Sequence, residues 1–452
     1  MRIAFLALAA TTMSFAFSAG PPVQRAGVPG EANGQTCTAC HRGFNLNEDP
    51  RGYVRVQASP YRPGVKQTVS VTVFHPEGAR WGFQLTARPV GDLTKKAGTF
   101  AANTDVQVRC SDNTNTAGCG ELTEFAEHTQ PSTAAGTSGG RTWTLEWTPP
   151  ATDVGEVVFY VAGNAANNSG SNAGDRIYNS SRIVPNADGC SGLTAKPTVA
   201  SVVNGASFQP QVSSNGLISI FGTGLYPAGQ RRLLQAGDIF QDKFPTRLNC
   251  VAVEVGGELV PVTFASDTQI NAQLPITAGA GQIPVRVVAN PGGGTREQKS
   301  DPISINGNGA APAFFTFNGT AVAAVSATDG ALIGPASLNG RAARAGDIVA
   351  LFLTGLGRTR PDYQAGEIAT GQVPMLVNPT FRLGDANLAA TDVLYVGLAP
   401  GAITGLYQAN IRIPANAAAG SAAEPYATMG TNQLTAATIL GENDQAAIRF
   451  GG

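Results

Sequence analysis

The side chains best suited to chemistry lie in the stretch TCTACHRG, residues 36–43. Two residues separate Cys37 from Cys40, and His41 follows directly. This spacing is typical of c-type haem attachment, in which two thiols bond to the porphyrin vinyl groups and the histidine binds the iron. The same residues are compatible with a small disulfide ring, a redox pair or part of a zinc site.

Two of these alternatives have little support. Adjacent Cys40 and His41 cannot easily point at one tetrahedral zinc ion, and no second CxxC pair is present. A thioredoxin-like redox pair needs a βαβ setting, which the surrounding sequence does not predict. We therefore favour haem c, and keep a Cys37–Cys40 disulfide as the alternative.

Composition and the N-terminus predict an exported protein. Charged residues make up 13% of the chain and the net charge is −1, which gives no basic footprint for nucleic acid or an anionic membrane. Residues 1–19 combine Arg2, a short apolar stretch and small residues at the end, as a cleaved signal peptide does. No later apolar run is long enough to span a membrane. We expect a periplasmic, cell-surface or extracellular location.

An oxidising compartment would allow the remaining four cysteines to pair. Cys110 and Cys119 flank a polar, turn-rich loop, so a local disulfide is predicted there. Cys190 and Cys250 would pair only by elimination.

Alternating apolar and polar residues, bounded by turn formers, predict β-strands over 53–59, 67–76, 141–150 and 155–166. Residues 120–129 fit either a short helix or an irregular strand. Further along, LISIFGTGL (217–225) reappears as IVALFLTGLG (348–357), and QINAQLP (269–275) reappears as QANIRIP (408–414). This internal repeat predicts two homologous β-sandwiches in tandem.

Two family resemblances follow from longer motifs. Residues 200–441 resemble the C-terminal module of acidobacterial secreted proteins, through VVNGASFQP, ISIFGTGL, SDTQINAQLP, VALFLTGLG and YVGLAPGAITGLYQANIRIP. Residues 28–183 resemble the bacterial reeler-like domain, through VPGEANGQTCTACHRGF, WGFQLTA, EHT, WTLEWTPP, VVFYVAGNAAN and GDRIYNSS. The first resemblance implies immunoglobulin-like sandwiches of the IPT/TIG sort, which serve as spacers or adhesive modules, and the second implies another β-sandwich.

The predicted fold is therefore all-β, with three immunoglobulin-like β-sandwich domains in tandem after a cleaved signal peptide. The expected segments are a signal peptide (1–19), an N-terminal arm with CxxCH (20–52), a reeler-like sandwich (53–184), a linker (185–199) and two IPT/TIG-like sandwiches (200–306 and 312–450).

A second axial ligand for the haem iron has few candidates. Outside the signal peptide the methionines are Met375 and Met429, both far from the motif. Of the remaining histidines, His128 is preferred because it lies in the reeler-resembling EHT motif, whereas His75 precedes a proline at a predicted strand end. Without a second ligand the iron would be five-coordinate and able to bind small gases.

Other chemistry has weaker signals. No GxSxG elbow or phosphate-binding loop is present, so we expect no enzymatic activity. The Asn- and Asp-rich stretch 163–179 is predicted as a loop that could offer oxygens to calcium, Asp175 first among them.

Two functions remain. The first is a haem-bearing surface protein for electron transfer or for redox or gas sensing, with a redox partner. The second is a haem-free structural or adhesive protein that binds extracellular polysaccharide or protein. In that case Trp81, Trp143 and Trp147 are candidates for an aromatic binding platform, although the same residues could instead belong to the core.

Overall fold

A computed structural model describes residues 18–114, 118–279, 281–317, 321–334, 336–383, 386–415 and 426–428. Residues 1–17 of the predicted signal peptide and Met429 lie outside the described residues, as does the end of the last predicted sandwich. Internal contacts divide the chain into two units, Met1–Ala187 and Asp188–Gly452.

The first unit contains ten strands. They are β1 (Arg42–Gly43), β2 (Tyr53–Gln57), β3 (Gln67–Phe74), β4 (Arg80–Pro89), β5 (Thr99–Ala101), β6 (Val106–Cys110), β7 (Glu124–His128), β8 (Arg141–Thr148), β9 (Val157–Ala166) and β10 (Ala173–Val184). A six-stranded sheet has the order β1-β10-β9-β4-β7-β6, and a four-stranded sheet has the order β2-β3-β8-β5. Residues of both sheets share one hydrophobic core, so this unit is a β-sandwich.

The four predicted strands of this unit are confirmed as β2, β3, β8 and β9. Period-two burial explains the agreement: in β8 every second side chain is buried. Residues 124–128 of the ambiguous segment form strand β7. Trp81, Trp143 and Trp147 are fully buried core residues, so they form no exposed aromatic platform.

The second unit contains 23 of the described strands. They are β11 (Thr198–Asn204), β12 (Val212–Ser213), β13 (Leu217–Thr223), β14 (Arg231–Leu233), β15 (Arg247–Leu248), β16 (Val251–Val255), β17 (Glu258–Val260), β18 (Val262–Ser266), β19 (Gln269–Gln273), β20 (Gly281–Ala289), β21 (Gln298–Lys299), β22 (Ile303–Asn308), β23 (Ala313–Phe314), β24 (Thr316–Phe317), β25 (Ala321–Val322), β26 (Ala324–Ser326), β27 (Ile348–Thr354), β28 (Val373–Pro374), β29 (Thr380–Leu383), β30 (Ala386–Asn387), β31 (Val393–Leu398), β32 (Tyr407–Arg412) and β33 (Tyr426–Thr428).

Two separate hydrophobic cores lie in this unit, one within 193–305 and one within 314–413. The first is enclosed by a five-stranded sheet (β11-β13-β19-β18-β14) and a seven-stranded sheet centred on β22-β20-β16. The main sheet of the second has the order β23-β27-β32-β31-β28.

The internal repeat is visible in the strand pairing. β13 pairs antiparallel with β19, and β27 pairs antiparallel with β32. Leu217 faces Gln273 in the first pair, and Ile348 faces Arg412 at the equivalent position of the second. The two copies of the motif therefore occupy equivalent positions in two sheets, as the repeat predicts.

The described residues contain no α-helix, and the all-β prediction is confirmed. The helical segments are 3₁₀ turns at Ala32–Gly34, Cys37–Ala39, Pro131–Thr133, Ala236–Asp238, Gly294–Arg296, Ala336–Leu338 and Ala390–Asp392. Within the described ranges no helix has the length and apolar character needed to cross a membrane. Disulfides join Cys110 to Cys119 and Cys190 to Cys250, the two predicted pairs.

Candidate functional site

A single 3₁₀ turn presents the CxxCH residues. The turn spans Cys37–Ala39, and the Thr36 hydroxyl caps it by accepting a hydrogen bond from the amide of Thr38. Side chains three residues apart eclipse each other on a 3₁₀ helix, so Cys37 and Cys40 face the same side. The turn is joined to the connection between β9 and β10 because the side-chain amide of Asn172 donates to the carbonyl of Cys40 at 2.7 Å.

The two thiols differ in environment. Cys37 is buried and packs against Ala162 of β9 and Ile177 of β10, whereas Cys40 is partly exposed. Burial raises the pKa of the Cys37 thiol to about 12. Both cysteines are free thiols in this structure, so the disulfide of the alternative interpretation is not formed.

His41 is oriented by a buried carboxylate. Its Nδ1 lies 2.6 Å from Oδ2 of Asp175, which is the third residue of β10 and almost completely buried. The other carboxylate oxygen of Asp175 accepts a hydrogen bond from the amide of Asn167 at 3.0 Å. A carboxylate on Nδ1 fixes the ring orientation and leaves Nε2 as the nitrogen suited to bind a metal.

Asn164 on β9 lies beside the same histidine. Its Nδ2 is 3.1 Å from Nδ1 and 3.3 Å from Nε2 of His41. Its Oδ1 is buried and has no hydrogen-bond partner within the described part of the chain. An unsatisfied buried carbonyl oxygen is costly, and it marks this wall of the site as able to accept a hydrogen bond from a ligand.

His128 is positioned by the end of a strand ladder. Pairing between β4 and β7 includes Gln84 opposite Glu127, and the next position would place Phe83 opposite His128. At this position the imidazole of His128, and not its backbone, contacts the backbone of Phe83. Its Nδ1 lies 3.0 Å from the amide nitrogen and 3.2 Å from the carbonyl oxygen of Phe83. The amide of Phe83 donates to Nδ1, which places the proton of a neutral ring on Nε2. Binding of a metal through Nε2 requires the other tautomer, in which Nδ1 donates to the Phe83 carbonyl.

Burial lowers the pKa of His128 to about 4, and the ring is therefore neutral at physiological pH. The imidazole also requires a glycine at position 82 of the neighbouring strand β4, because any side chain there would occupy the space of the ring. A methyl group built on Gly82 would lie 2.7 Å from Cε1 of His128.

One cavity of about 540 Å³ contains these groups. Its walls include Cys37, Cys40, His41 and His128, although His128 lies far from the CxxCH motif in the sequence. This volume falls in the range of about 300–1,000 Å³ typical of small-molecule and cofactor sites. Across the described ranges, no three His, Cys, Asp or Glu side chains are close enough to bind a metal ion by themselves.

Three arginines, Arg25, Arg42 and Arg80, also line the cavity. None of them pairs with a carboxylate among the described residues. Among the described residues of the cavity wall, Asp175 is the one acidic residue, and it contacts His41. The cavity thus suits a ligand with negative groups.

The other candidate ligands lie elsewhere. His75 is fully buried, with Nε2 3.0 Å from the Asp49 carboxylate and Nδ1 accepting from the amide of Glu77, so both nitrogens are occupied. Met375 belongs to a core of the second unit. His128 is therefore the remaining described candidate for a second axial ligand.

The prediction of a loop over residues 163–179 is wrong in its bounds. Residues up to Ala166 continue β9, and β10 begins at Ala173, so only a short turn separates two strands. Asp175 is therefore a strand residue that bonds to His41, and calcium binding stays a prediction.

Several residues of the site were missed by the sequence analysis: Arg25, Arg42, Arg80, Gly82 and Asn164. Signals for two of them exist. A glycine inside a strand pattern, as at Gly82, indicates close approach of another group. Asn164 is a polar residue in an otherwise apolar buried strand.

No family model matches this sequence, and no curated protein matches it. Solved structures that share low similarity include the human F-spondin reeler domain (17% identity, 32% of this chain, 91% of that chain, TM-score 0.21). A second is the Reelin-N domain of F-spondin (17% identity, 33% of this chain, 94% of that chain, TM-score 0.21). A third is a cohesin of Acetivibrio cellulolyticus scaffoldin B in complex with a dockerin (9% identity, 28% and 96% of the two chains, TM-score 0.18). These scores are too low to assign a fold or a function.

Proposed function

We propose that the first unit binds one covalent haem c and acts in electron transfer. The observation that supports this most directly is the single cavity that contains the CxxCH motif and His128. A disulfide ring or a surface tether would not require a distant histidine or a cofactor-sized space next to the two thiols.

The donor set fits haem better than a bare metal ion. Haem c needs two thiols and at least one imidazole nitrogen, which Cys37, Cys40, His41 and His128 would supply. A metal ion without a porphyrin needs three or more close protein ligands, which the described residues do not provide here. When bound, haem would supply one-electron oxidation and reduction.

The charged residues of the cavity fit the same ligand. Haem carries two propionate groups, and carboxylates pair well with guanidinium groups. Arg25, Arg42 and Arg80 are the candidate partners, since none forms an ion pair with a carboxylate in the described chain. The side-chain nitrogen of Asn164 contacts His41 and limits movement of that ring, while its buried Oδ1 stays available to accept from the ligand.

Two histidines on the cavity favour electron transfer over gas sensing. His41 is held by Asp175, and His128 is neutral and held at the end of the β4–β7 ladder. If both histidines bound the haem iron, the group would supply one-electron transfer and not gas binding.

We further propose that the protein is exported and that its second unit serves as a spacer or adhesive module. The two disulfides suit an oxidising compartment, which is also where c-type haem attachment takes place. The second unit is joined internally by the buried side chain of Gln273, which donates to Thr404 and accepts from the amide of Gly366. These contacts connect its two cores, as a stiff spacer requires.

The test is a haem measurement on the exported protein. The full chain is expressed with its signal peptide in a host that has the c-type maturation machinery, then denatured, and the pyridine haemochrome spectrum is recorded. We expect a covalent c-type spectrum that the double variant Cys37→Ala/Cys40→Ala loses.

A matched control removes the other cysteine pair of the first unit, Cys110→Ala/Cys119→Ala, which lies outside the cavity wall. This variant should retain covalent haem. His128→Ala should also retain it but change from a six-coordinate to a five-coordinate spectrum. A colourless wild-type protein would refute the haem proposal and leave the haem-free adhesive function.

A further inference from the structure

The segment that enters the first sandwich passes directly over a buried carboxylate. Gly20 is buried, and a methyl group on it would overlap Oε1 of Glu127 and Nε2 of Gln107. The side chain of Gln107 also donates a hydrogen bond to the carbonyl of Ala19. Residue Ala19 is exposed. The backbone around the Ala19–Gly20 bond therefore lies on the Glu127 carboxylate.

Glu127 is fully buried on β7. Its carboxylate accepts hydrogen bonds from Nε2 of Gln84 and Nε2 of Gln107, each at 3.0 Å, and lies 2.7 Å from Nε of Arg109. A carboxylate offers about four acceptor positions, so it can accept one more donor.

The predicted signal peptide ends at this position. Hydrolysis of the Ala19–Gly20 peptide bond by a signal peptidase consumes one water, leaves a carboxylate on Ala19 and creates an α-ammonium group on Gly20. We propose that Glu127 is the binding site for this mature N-terminus, and that the resulting ion pair fixes the N-terminal arm to the sheet. The inference does not depend on haem.

The geometry connects this site with the cavity. Gln84, which donates to Glu127, also donates to the carbonyl of Pro22 at 3.0 Å and accepts from the amide of Arg25 at 2.6 Å. Pro22 and Arg25 line the cavity. A docked N-terminus therefore fixes the segment that forms one cavity wall, and processing of the chain completes that wall.

The experiment compares two haem-free forms of residues 20–452 that differ only at the N-terminus. In one form Gly20 has a free amine, and in the other that amine is acetylated. We expect acetylation to lower the melting temperature of the first unit by several degrees and to accelerate tryptic cleavage after Arg25. Equal melting temperatures and equal cleavage rates would overturn the proposal.

Two variants test whether the effect acts through Glu127. In Glu127→Gln the difference between the free and acetylated forms should disappear. In Glu124→Gln it should persist, since Glu124 is a buried carboxylate on the same strand that instead accepts from the amide of Phe100. A difference that persists in Glu127→Gln would contradict the proposed ion pair.

A cross-linking measurement needs no variant. Carbodiimide treatment of the free-amine form should produce an amide bond between Gly20 and Glu127, detectable by mass spectrometry of the tryptic peptides. A cross-link from Gly20 to a carboxylate other than Glu127, or an exported protein whose mature chain begins after Gly20, would refute the assignment.

Discussion

Nδ1 of His41 lies 2.6 Å from Oδ2 of Asp175, and 134 residues separate the two in the chain. The contact joins the CxxCH turn to the start of β10, so the histidine is oriented by the sheet and not by its own turn. Asp175 is thus a positioning residue for His41, and its carboxylate makes the imidazole a stronger electron donor.

The first prediction concerns this carboxylate. In the haem-loaded protein, Asp175→Asn should raise the midpoint reduction potential, because a neutral amide donates less electron density through Nδ1 and stabilises ferric iron less. Outer-shell substitutions typically change metal affinity by about tenfold or more. If the affinity for ferric iron and the affinity for ferrous iron change by amounts that differ tenfold, the midpoint potential shifts by about 60 mV for one electron.

Potentiometric titration of both proteins measures this shift. Asp92→Asn is the control, since Asp92 is a carboxylate of the same unit that bonds to Thr94 and does not line the cavity. An unchanged potential in Asp175→Asn would show that the contact does not act on the iron ligand.

The second prediction concerns the space beside His128. Gly82→Ala places a methyl group 2.7 Å from Cε1 of the imidazole, so the ring must move away from Phe83. Such overpacking costs about 1–3 kcal/mol. Urea unfolding of the haem-free protein should show this loss, and the haem-loaded variant should have the five-coordinate spectrum of His128→Ala.

Gly91→Ala is the matched control because a methyl group at Gly91 would meet no atom within 4 Å. It should leave both the stability and the spectrum unchanged. A Gly82→Ala protein with wild-type stability and spectrum would mean that His128 is not confined as the structure indicates.

The fold was largely predictable from the sequence, for a physical reason that β8 illustrates. Trp143, Leu145 and Trp147 alternate with polar residues, and a strand with one face in a core requires that alternation. The tandem repeat was equally clear, since the same apolar and amide residues serve equivalent strands in both copies.

The candidate site was predictable only in part. The CxxCH motif is local, so its chemistry can be inferred from spacing alone. Asp175 and Asn164 act on His41 through strand pairing across more than 100 residues, and no local pattern encodes that proximity. The sequence instead indicates calcium for Asp175, because the surrounding stretch 163–179 is rich in Asn, whose side chains offer oxygens.

The third prediction concerns the two thiols before haem attachment. Cys37 is buried and has a pKa raised to about 12, whereas Cys40 is partly exposed. Because alkylation requires an accessible thiolate, iodoacetamide should modify Cys40 well before Cys37 in the native, haem-free protein. Peptide mapping by mass spectrometry measures the two rates.

After denaturation both thiols should react equally, which serves as the internal control. Equal reactivity in the native state would indicate that Cys37 does not pack against Ala162 and Ile177. A Cys37–Cys40 disulfide in the native protein would support the haem-free alternative.

The last prediction concerns stability in acid. Asp49 accepts hydrogen bonds from the side chain and the amide of Arg51 and from Nε2 of His75. These contacts hold the pKa of the Asp49 carboxyl well below its usual range, and those from Arg51 have the largest effect. A carboxyl with a lowered pKa in the folded state stabilises the fold above its unfolded-state pKa, near about 4. That contribution is lost progressively as the pH falls below this value.

The free energy of unfolding of the first unit should therefore fall more steeply between about pH 5 and about pH 2 in the wild type than in Asp49→Asn. Urea unfolding at several pH values measures both slopes. Glu146→Gln is the control, because Glu146 forms an exposed pair with Lys66, and exposed pairs contribute little. Parallel curves for wild type and Asp49→Asn would show that the Asp49 contacts add nothing to the stability of the folded state.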